Sequence, residues 1–259
     1  MILAIDIGNT NVVIGCIKNE KIILAGRIES DYTNSSEEYA TNIKAILGMG
    51  NIDINDIEGS IISSVVPQLT STLKKAVEML ISTAPLIVNT EFNTGLNILV
   101  QNQNQLGSDR VVDAVSAIYY YSKPVIIFDM GTATTVSVVD ENSNFLGGMI
   151  MLGVKSSLEA LSKKAAQLPR INLEECGCLI GKNTIECMQS GSINGHAAMV
   201  DGIIHRLKKQ VGEHAKVVAT GGLAQVIIPH CEEEIIYDEH LLLKGLYLLY
   251  IKNCKLNLE

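Results

Sequence analysis

The chain has 259 residues, 47% of them hydrophobic, and a formal net charge of −8. That is enough for one large domain or two medium ones with a sizeable core. An acidic balance without a long basic block argues against a nucleic-acid partner. Residues 241–251 are apolar but short and include Lys244, whereas a membrane span needs roughly 20 apolar residues. The start lacks a basic region, and Asp6 interrupts its apolar run, so it does not read as a signal peptide. A cytoplasmic location is expected.

In chain order, residues 2–6, 11–17 and 22–28 read as strands joined by short turns, an antiparallel meander. Ser35 and Glu38 have capping-box spacing, and Tyr39, Ile43, Ile46 and Leu47 then recur at helical spacing up to Gly48 and Gly50. The β-branched run at 60–66 reads as a buried strand, and Pro67 opens a helix to about residue 81. A short strand follows at 85–88. Residues 90–105 are rich in Asn, Gln and Gly and read as a loop over a site, interrupted by an apolar piece at 96–100. A helix follows Gly107-Ser108-Asp109-Arg110. A strand from Pro124 to Asp129 then starts a second pattern of strand, turn and strand, with a third strand at 145–152. Helices are expected near 156–167 and 186–210, strands at 216–219 and 234–237, and a last helix at 240–252.

The pattern is repeated at its most polar point. Asp6-Ile7-Gly8-Asn9-Thr10 follows one apolar strand, and Asp129-Met130-Gly131-Thr132-Ala133-Thr134-Thr135 follows another. A carboxylate at a strand end can hold Mg²⁺, and a glycine lets backbone amides approach phosphate. Alone, either copy could equally be a hairpin turn. The pair, with a third glycine turn at Thr220-Gly221-Gly222, suits a split nucleotide cleft in which the Gly-Gly turn admits the nucleoside. Ser108-Asp109 could cap a helix or supply a base; Asn183-Thr184 could cap a helix or contact a ligand. The six cysteines match no zinc framework, and Cys176, Cys178 and Cys187 read as reduced thiols. His196 reads as a packed or surface histidine. Gly191, Gly195, Ala198 and Gly202 lie near one helix face and would permit close helix contact, which offsets the roughly 1 kcal/mol that each helical glycine costs.

Across nearly its full length the sequence resembles the type III pantothenate kinases, within the acetate and sugar kinase, Hsp70 and actin superfamily. The resemblance runs through Asp6–Thr10, Ile62-Ser63-Ser64-Val65-Val66-Pro67, Gly107–Arg110, Asp129–Thr135, Leu168-Pro169-Arg170-Ile171, Gly181-Lys182-Asn183-Thr184 and Ala219-Thr220-Gly221-Gly222-Leu223-Ala224. It implies an α/β fold of two related ribonuclease-H/actin-like halves, each a mixed sheet with helices, around a nucleotide cleft. The halves are expected at residues 1–121 and 122–259. It also implies phosphorylation of pantothenate to 4'-phosphopantothenate, the first step of coenzyme A biosynthesis. Asp109 would be the catalytic base. Gly107, Ser108, Asp109, Arg110 and Thr184 would bind pantothenate. Asp6, Ile7, Gly8, Asn9, Thr10, Asn11, Val12, Val13 and Thr132 would bind ATP, with Asp6 near its Mg²⁺. Asp129 would hold K⁺ or NH₄⁺, and the enzyme would be a homodimer. Three positions depart from the family pattern: Val100 replaces a tyrosine, Gln103 a proline, and Leu152 a proline. The first removes a phenol hydroxyl from the pantothenate site. Val100 and Gln103 keep open a nucleotide-binding regulatory homologue without kinase activity. A kinase of another small hydroxylated substrate, such as a sugar, is a further alternative. A chaperone or filament ATPase fits less well, because the chain has no evident peptide-binding or filament-forming segment.

Overall fold

The computed structural model describes residues 1–174 and 177–256. They divide into two compact units. One takes residues 1–96, 100–116 and the chain from His240 onward; the other takes 97–99 and 117–239.

The first unit opens with the expected meander, β1 (Ile2–Ile7), β2 (Asn11–Lys18) and β3 (Lys21–Glu29). Every residue of β1 is buried, as a strand covered on both faces must be. The helix α1 (Ser36–Met49) starts at a complete capping box. Ser35 Oγ accepts from the Glu38 N–H, and the Glu38 carboxylate accepts from the Ser35 N–H. Then β4 (Gly59–Ser64) pairs parallel to β1, α2 (Pro67–Leu80) begins on Pro67, and β5 (Leu86–Ile87) pairs parallel to β4. The sheet order is β3-β2-β1-β4-β5. The chain next gives β6 (Asn97–Ile98) to the second unit and returns for the first turns of α3 (Ser108–Tyr120).

The second unit repeats this plan. β7 (Val125–Met130), β8 (Ala133–Val139) and β9 (Asn144–Leu152) form a meander, followed by α4 (Val154–Lys164) and α5 (Thr184–Val211). β10 (Lys216–Thr220) pairs parallel to β7, and after α6 (Ala224–Ile227) the strand β11 (Ile236–Tyr237) pairs parallel to β10. The order β11-β10-β7-β8-β9-β6 matches that of the first sheet strand for strand, with β6 added beside β9. Thus the polar loop at 90–105 contains a strand the sequence reading did not place. Its core packs Ile126, Phe128 and Val136 against Ile193, Ala197 and Val200 of α5.

In the first unit, α1 and α2 cover Leu3, Ile5, Ile7 and Ile62. The other face, bearing Ile2, Ala4 and Ile61, is covered by Val112 and Val115 of α3 and by α7 (Leu241–Leu256) through Leu243, Leu246 and Leu249. The expected division at 121/122 therefore needs correction, because the last helix closes the first unit. Its leucines match an apolar sheet face that α3 alone leaves partly open. Gly245 lets the helix approach closely, since a Cβ there would meet the Val112 carbonyl oxygen. Among the described residues no helix is long and apolar enough to cross a membrane. Cys176 lies outside the described residues; Cys16, Cys178, Cys187, Cys231 and Cys254 are not in disulfides among the described residues.

The approach at Gly245 sets a stability prediction. Backbone cannot yield as a side chain can, so Gly245→Ala should lower unfolding free energy by about 1–3 kcal/mol. Urea denaturation checks this, and an unchanged midpoint would contradict the packing of α7 on α3.

Candidate active site

In the first unit, β1 delivers Asp6 to the sheet's carboxyl end and the chain turns through Gly8–Asn11. The Gly8 N–H donates to Asn11 O at 3.0 Å, and Gly8 O accepts from Ser30 Oγ at 2.7 Å. The Ser30 N–H donates to Thr10 O at 3.0 Å, so β3's end braces the turn. Asn9, Thr10 and Asn11 are exposed and can offer side-chain donors. Asp6 itself is only 9% exposed. Its register partner on β4 is Ser63, and partners in a parallel pair project from the same face.

That face carries the start of α3. Ser108 Oγ lies 2.9 Å from Ser63 Oγ, donates to Ser64 O at 3.0 Å and accepts from the Ser64 N–H at 3.2 Å. The hydrogen bonds tie the first residue of α3 to the end of β4 and leave Asp109 next in line, half-buried. Asp109 Oδ1 accepts from the Arg110 N–H at 2.8 Å. Desolvation pushes the Asp109 carboxyl above the ordinary carboxylate range, against the opposing pull of the Arg110 N–H and charge. Arg110 is itself desolvated and lowered from its usual value, with Asp109's charge opposing. A Cβ on Gly107 would meet Asp109 Oδ1, so a bare residue there leaves the carboxylate its place. Asp6 and Gly107–Arg110, far apart in sequence, thus share one end of one sheet.

In the second unit the turn is shorter. Ile7 pairs with Val12 across the first turn, but Met130 pairs with Thr134 across the second, one residue fewer. The Gly131 N–H donates to Ala133 O at 3.0 Å. Thr132 O accepts from the Gly153 N–H at 3.1 Å and from Ser156 Oγ at 2.8 Å, tying the turn to the start of α4. Thr132 is exposed and Asp129 half-buried. The third glycine turn arrives beside them: Thr220 pairs with Asp129, and Gly221 has φ +90°. A Cβ on Gly221 would lie 2.5 Å from Asp129 Oδ1 and 2.7 Å from Met130 N. A cavity of about 670 Å³ lies along α4, with Leu158, Leu223 and Val226 as apolar lining and Lys155, Lys163 and Arg170 as cations.

Thr184 lies in a different cavity of the second unit, about 710 Å³, lined also by Ser157, Leu161, Met188 and His196. It is the exposed first residue of α5, whose N-cap is Asn183: Asn183 Oδ1 accepts from the Glu186 N–H at 3.0 Å. His196 Nδ1 lies 2.7 Å from Ser192 O, an acceptor, so that nitrogen carries a proton. Gln103 opens a short 3₁₀ turn capped by Asn102, and Leu152 ends β9, 55% exposed. The sequence reading gave no part to Ser63, Ser64, Gly153 or Ser156. The motif at 62–67 was the available signal for the first two.

The donor chemistry suits hard cations. Asp6 and Asp129 offer carboxylate oxygens beside glycine turns, and no described group of three His, Cys, Asp or Glu residues forms a metal cage. In each unit taken alone, a single carboxylate of this kind suits a cation carried mainly by a phosphate.

Comparison with known proteins follows this geometry. Residues 2–206 match the family model for type III pantothenate kinase. A type III pantothenate kinase from Exiguobacterium sp. is 44% identical over 255 residues, which are 98% of this chain and 100% of that protein. Among solved structures, the activator of 2-hydroxyisocaproyl-CoA dehydratase from Clostridium difficile, with bound ADPNP, superposes with TM-score 0.59 at 15% identity, over 99% of this chain and 97% of that one. MreB 5 of Spiroplasma citri, bound to AMPPNP, gives TM-score 0.57 at 10% identity over the same shares. At these identities the two structures establish an actin-like fold.

Gly221 and Gly131, in two turns of the second unit, should respond differently to a methyl group. Gly221→Ala meets both a positive φ and the Met130 backbone, and should cost about 1–3 kcal/mol of stability. Gly131→Ala, whose Cβ would have 3.7 Å of clearance, should stay within about 0.5 kcal/mol. Equal urea midpoints for the two variants would contradict the described turn.

Proposed function

The chain belongs to the type III pantothenate kinase family, and on that premise we propose which residues serve its reaction: transfer of the γ-phosphoryl group of ATP to the primary hydroxyl of pantothenate, giving 4'-phosphopantothenate on the route to coenzyme A. Asp109 is the general base. The hydroxyl proton passes to its carboxylate as the new O–P bond forms and the bond from the γ-phosphorus to ADP breaks. The supporting observation is the setting of this carboxylate: half-buried, its pKa raised by desolvation, and at the sheet end that carries Asp6. A base closer to the working pH accepts a proton more readily while still ionised.

Arg110 offers a planar fork to the pantothenate carboxylate or a phosphoryl oxygen. Gly107 leaves room for the Asp109 carboxylate that faces the substrate, and the Thr184 hydroxyl donates to pantothenate. Asp6–Val13 and Thr132 bind ATP. The Gly8 and Gly131 amides are already given to Asn11 O and Ala133 O. Phosphate donors near the first turn therefore come from Asn9, Thr10 and Asn11. The cavity beside Leu223 and Lys155 takes the nucleoside. When bound, Mg²⁺ near Asp6 and K⁺ or NH₄⁺ at Asp129 balance the polyphosphate charge. The enzyme works in the cytoplasm as a homodimer. Gly191 and Gly195 are exposed on α5, with open space where a Cβ would stand, which supports that face as part of the contact.

The decisive assay is ATP consumption in K⁺ buffer with pantothenate and with a panel of sugars. Turnover with pantothenate alone is expected; turnover with a sugar instead would overturn the substrate. Asp109→Asn should keep nucleotide binding and lose about 10²–10⁴-fold in kcat, whereas near-normal turnover would remove the base. Because the base acts ionised and its pKa is raised, kcat should fall with acid above the ordinary carboxylate range. An acid limb within or below that range would contradict the assignment. Replacing K⁺ by Na⁺ should slow the reaction, and an unchanged rate would remove the monovalent-cation site.

A further inference from the structure

We propose that the hydroxyls of Ser63 and Ser108 form a positioning clamp that fixes where Asp109 stands relative to Asp6. The inference rests on the reading of Asp109 as the base. It gives a role to the segment Ile62–Pro67, which contributes no reacting group.

A serine hydroxyl has one proton and two acceptor sites. Ser64 O only accepts, so the Ser108 proton goes there, across 3.0 Å. The Ser64 N–H, at 3.2 Å, fills one acceptor site. Ser63 Oγ, at 2.9 Å, must then donate into the other. Ser108 is saturated by the protein, and its hydroxyl has no capacity left for pantothenate. Ser63 is fully buried and pairs in register with Asp6. The clamp therefore runs from the end of β4, in register beside Asp6, to the residue before Asp109.

The end of β4 is also held from its other side. Ser64 Oγ accepts from the Val66 N–H at 3.1 Å and from Thr70 Oγ1 at 2.8 Å, which ties it to the first turn of α2. With β4 anchored to α2, the Ser63–Ser108 contact transmits that rigidity to α3. Arg110 cannot substitute for it, because the Arg110 N–H bond to Asp109 lies within α3 and moves with the helix. Ser63 and Ser108 are positioning residues that act through Asp109. Misplacing a reacting group by about 1 Å can cost about 100-fold in rate.

The test compares Ser63→Ala, Ser108→Ala, the double variant and Asp109→Asn in steady-state kinetics across pH. Each serine variant should lose about 10–100-fold in kcat, with KM for ATP changed less than about threefold. The acid limb of kcat should move to lower pH as the carboxylate gains water. The double variant should lose less than the product of the single losses, as partners in one contact do. If Ser108→Ala does not unfold cooperatively, Ser63→Ala decides by the same criteria. Wild-type kcat and acid limb in the serine variants, with Asp109→Asn inactive, would overturn the clamp and spare the base. Wild-type turnover in Asp109→Asn would overturn both.

Discussion

A parallel strand that ends beside its neighbour leaves backbone groups that the sheet no longer satisfies, and such groups need partners when buried. At the end of β4 the partner is Ser108, the first residue of α3. Any one such hydrogen bond contributes only about 1 kcal/mol to stability. Its larger consequence is positional: it decides where the next residue stands. Asp109 is thereby held half-buried, and two effects compete over its proton. Loss of water raises its pKa; the Arg110 charge and N–H lower it; desolvation is the larger and the net direction is up. Burial elsewhere raises the pKa of Cys16 to about 11 by the same desolvation, but there the neighbours are apolar core and no chemistry follows.

The two sheets share one strand order, and their differences lie at the turns that close β1 and β7. The first turn is longer, is braced by Ser30 from β3, and follows an aspartate that is nearly buried. The second is shorter, is braced by Gly153 and Ser156 from the start of α4, and follows an aspartate in contact distance of Gly221. A common frame thus presents two carboxylates in unlike settings. The two aspartates proposed as cation ligands therefore do not share one environment.

Much of this was legible in the sequence where the signal is local. The meander, the Ser35–Glu38 capping box, the helix start at Pro67 and the Asn183 cap all depend on neighbours within a few residues, and all form. The duplicated Asp-x-Gly turns were legible because repetition raises a weak motif above chance. What stayed hidden depends on distance along the chain. Leu243, Leu246 and Leu249 announce a buried face, but not which sheet it covers. β6 has two residues and owes its existence to β9. Ser63 and Ser108 are each ordinary serines in sequence, and only the fold shows that their hydroxyls meet. Ser108 read as a cap or a ligand contact; the structure gives its hydroxyl to β4.

The protein holds Asp109 as a carboxylate made more basic by its setting. A ¹³C NMR titration of aspartate side-chain carboxyls, with Asp109 identified by the signal missing in Asp109→Asn, measures this without turnover. Asp109 should titrate above the ordinary carboxylate range. Titration within or below that range, as for an exposed carboxylate or one dominated by Arg110, would contradict it.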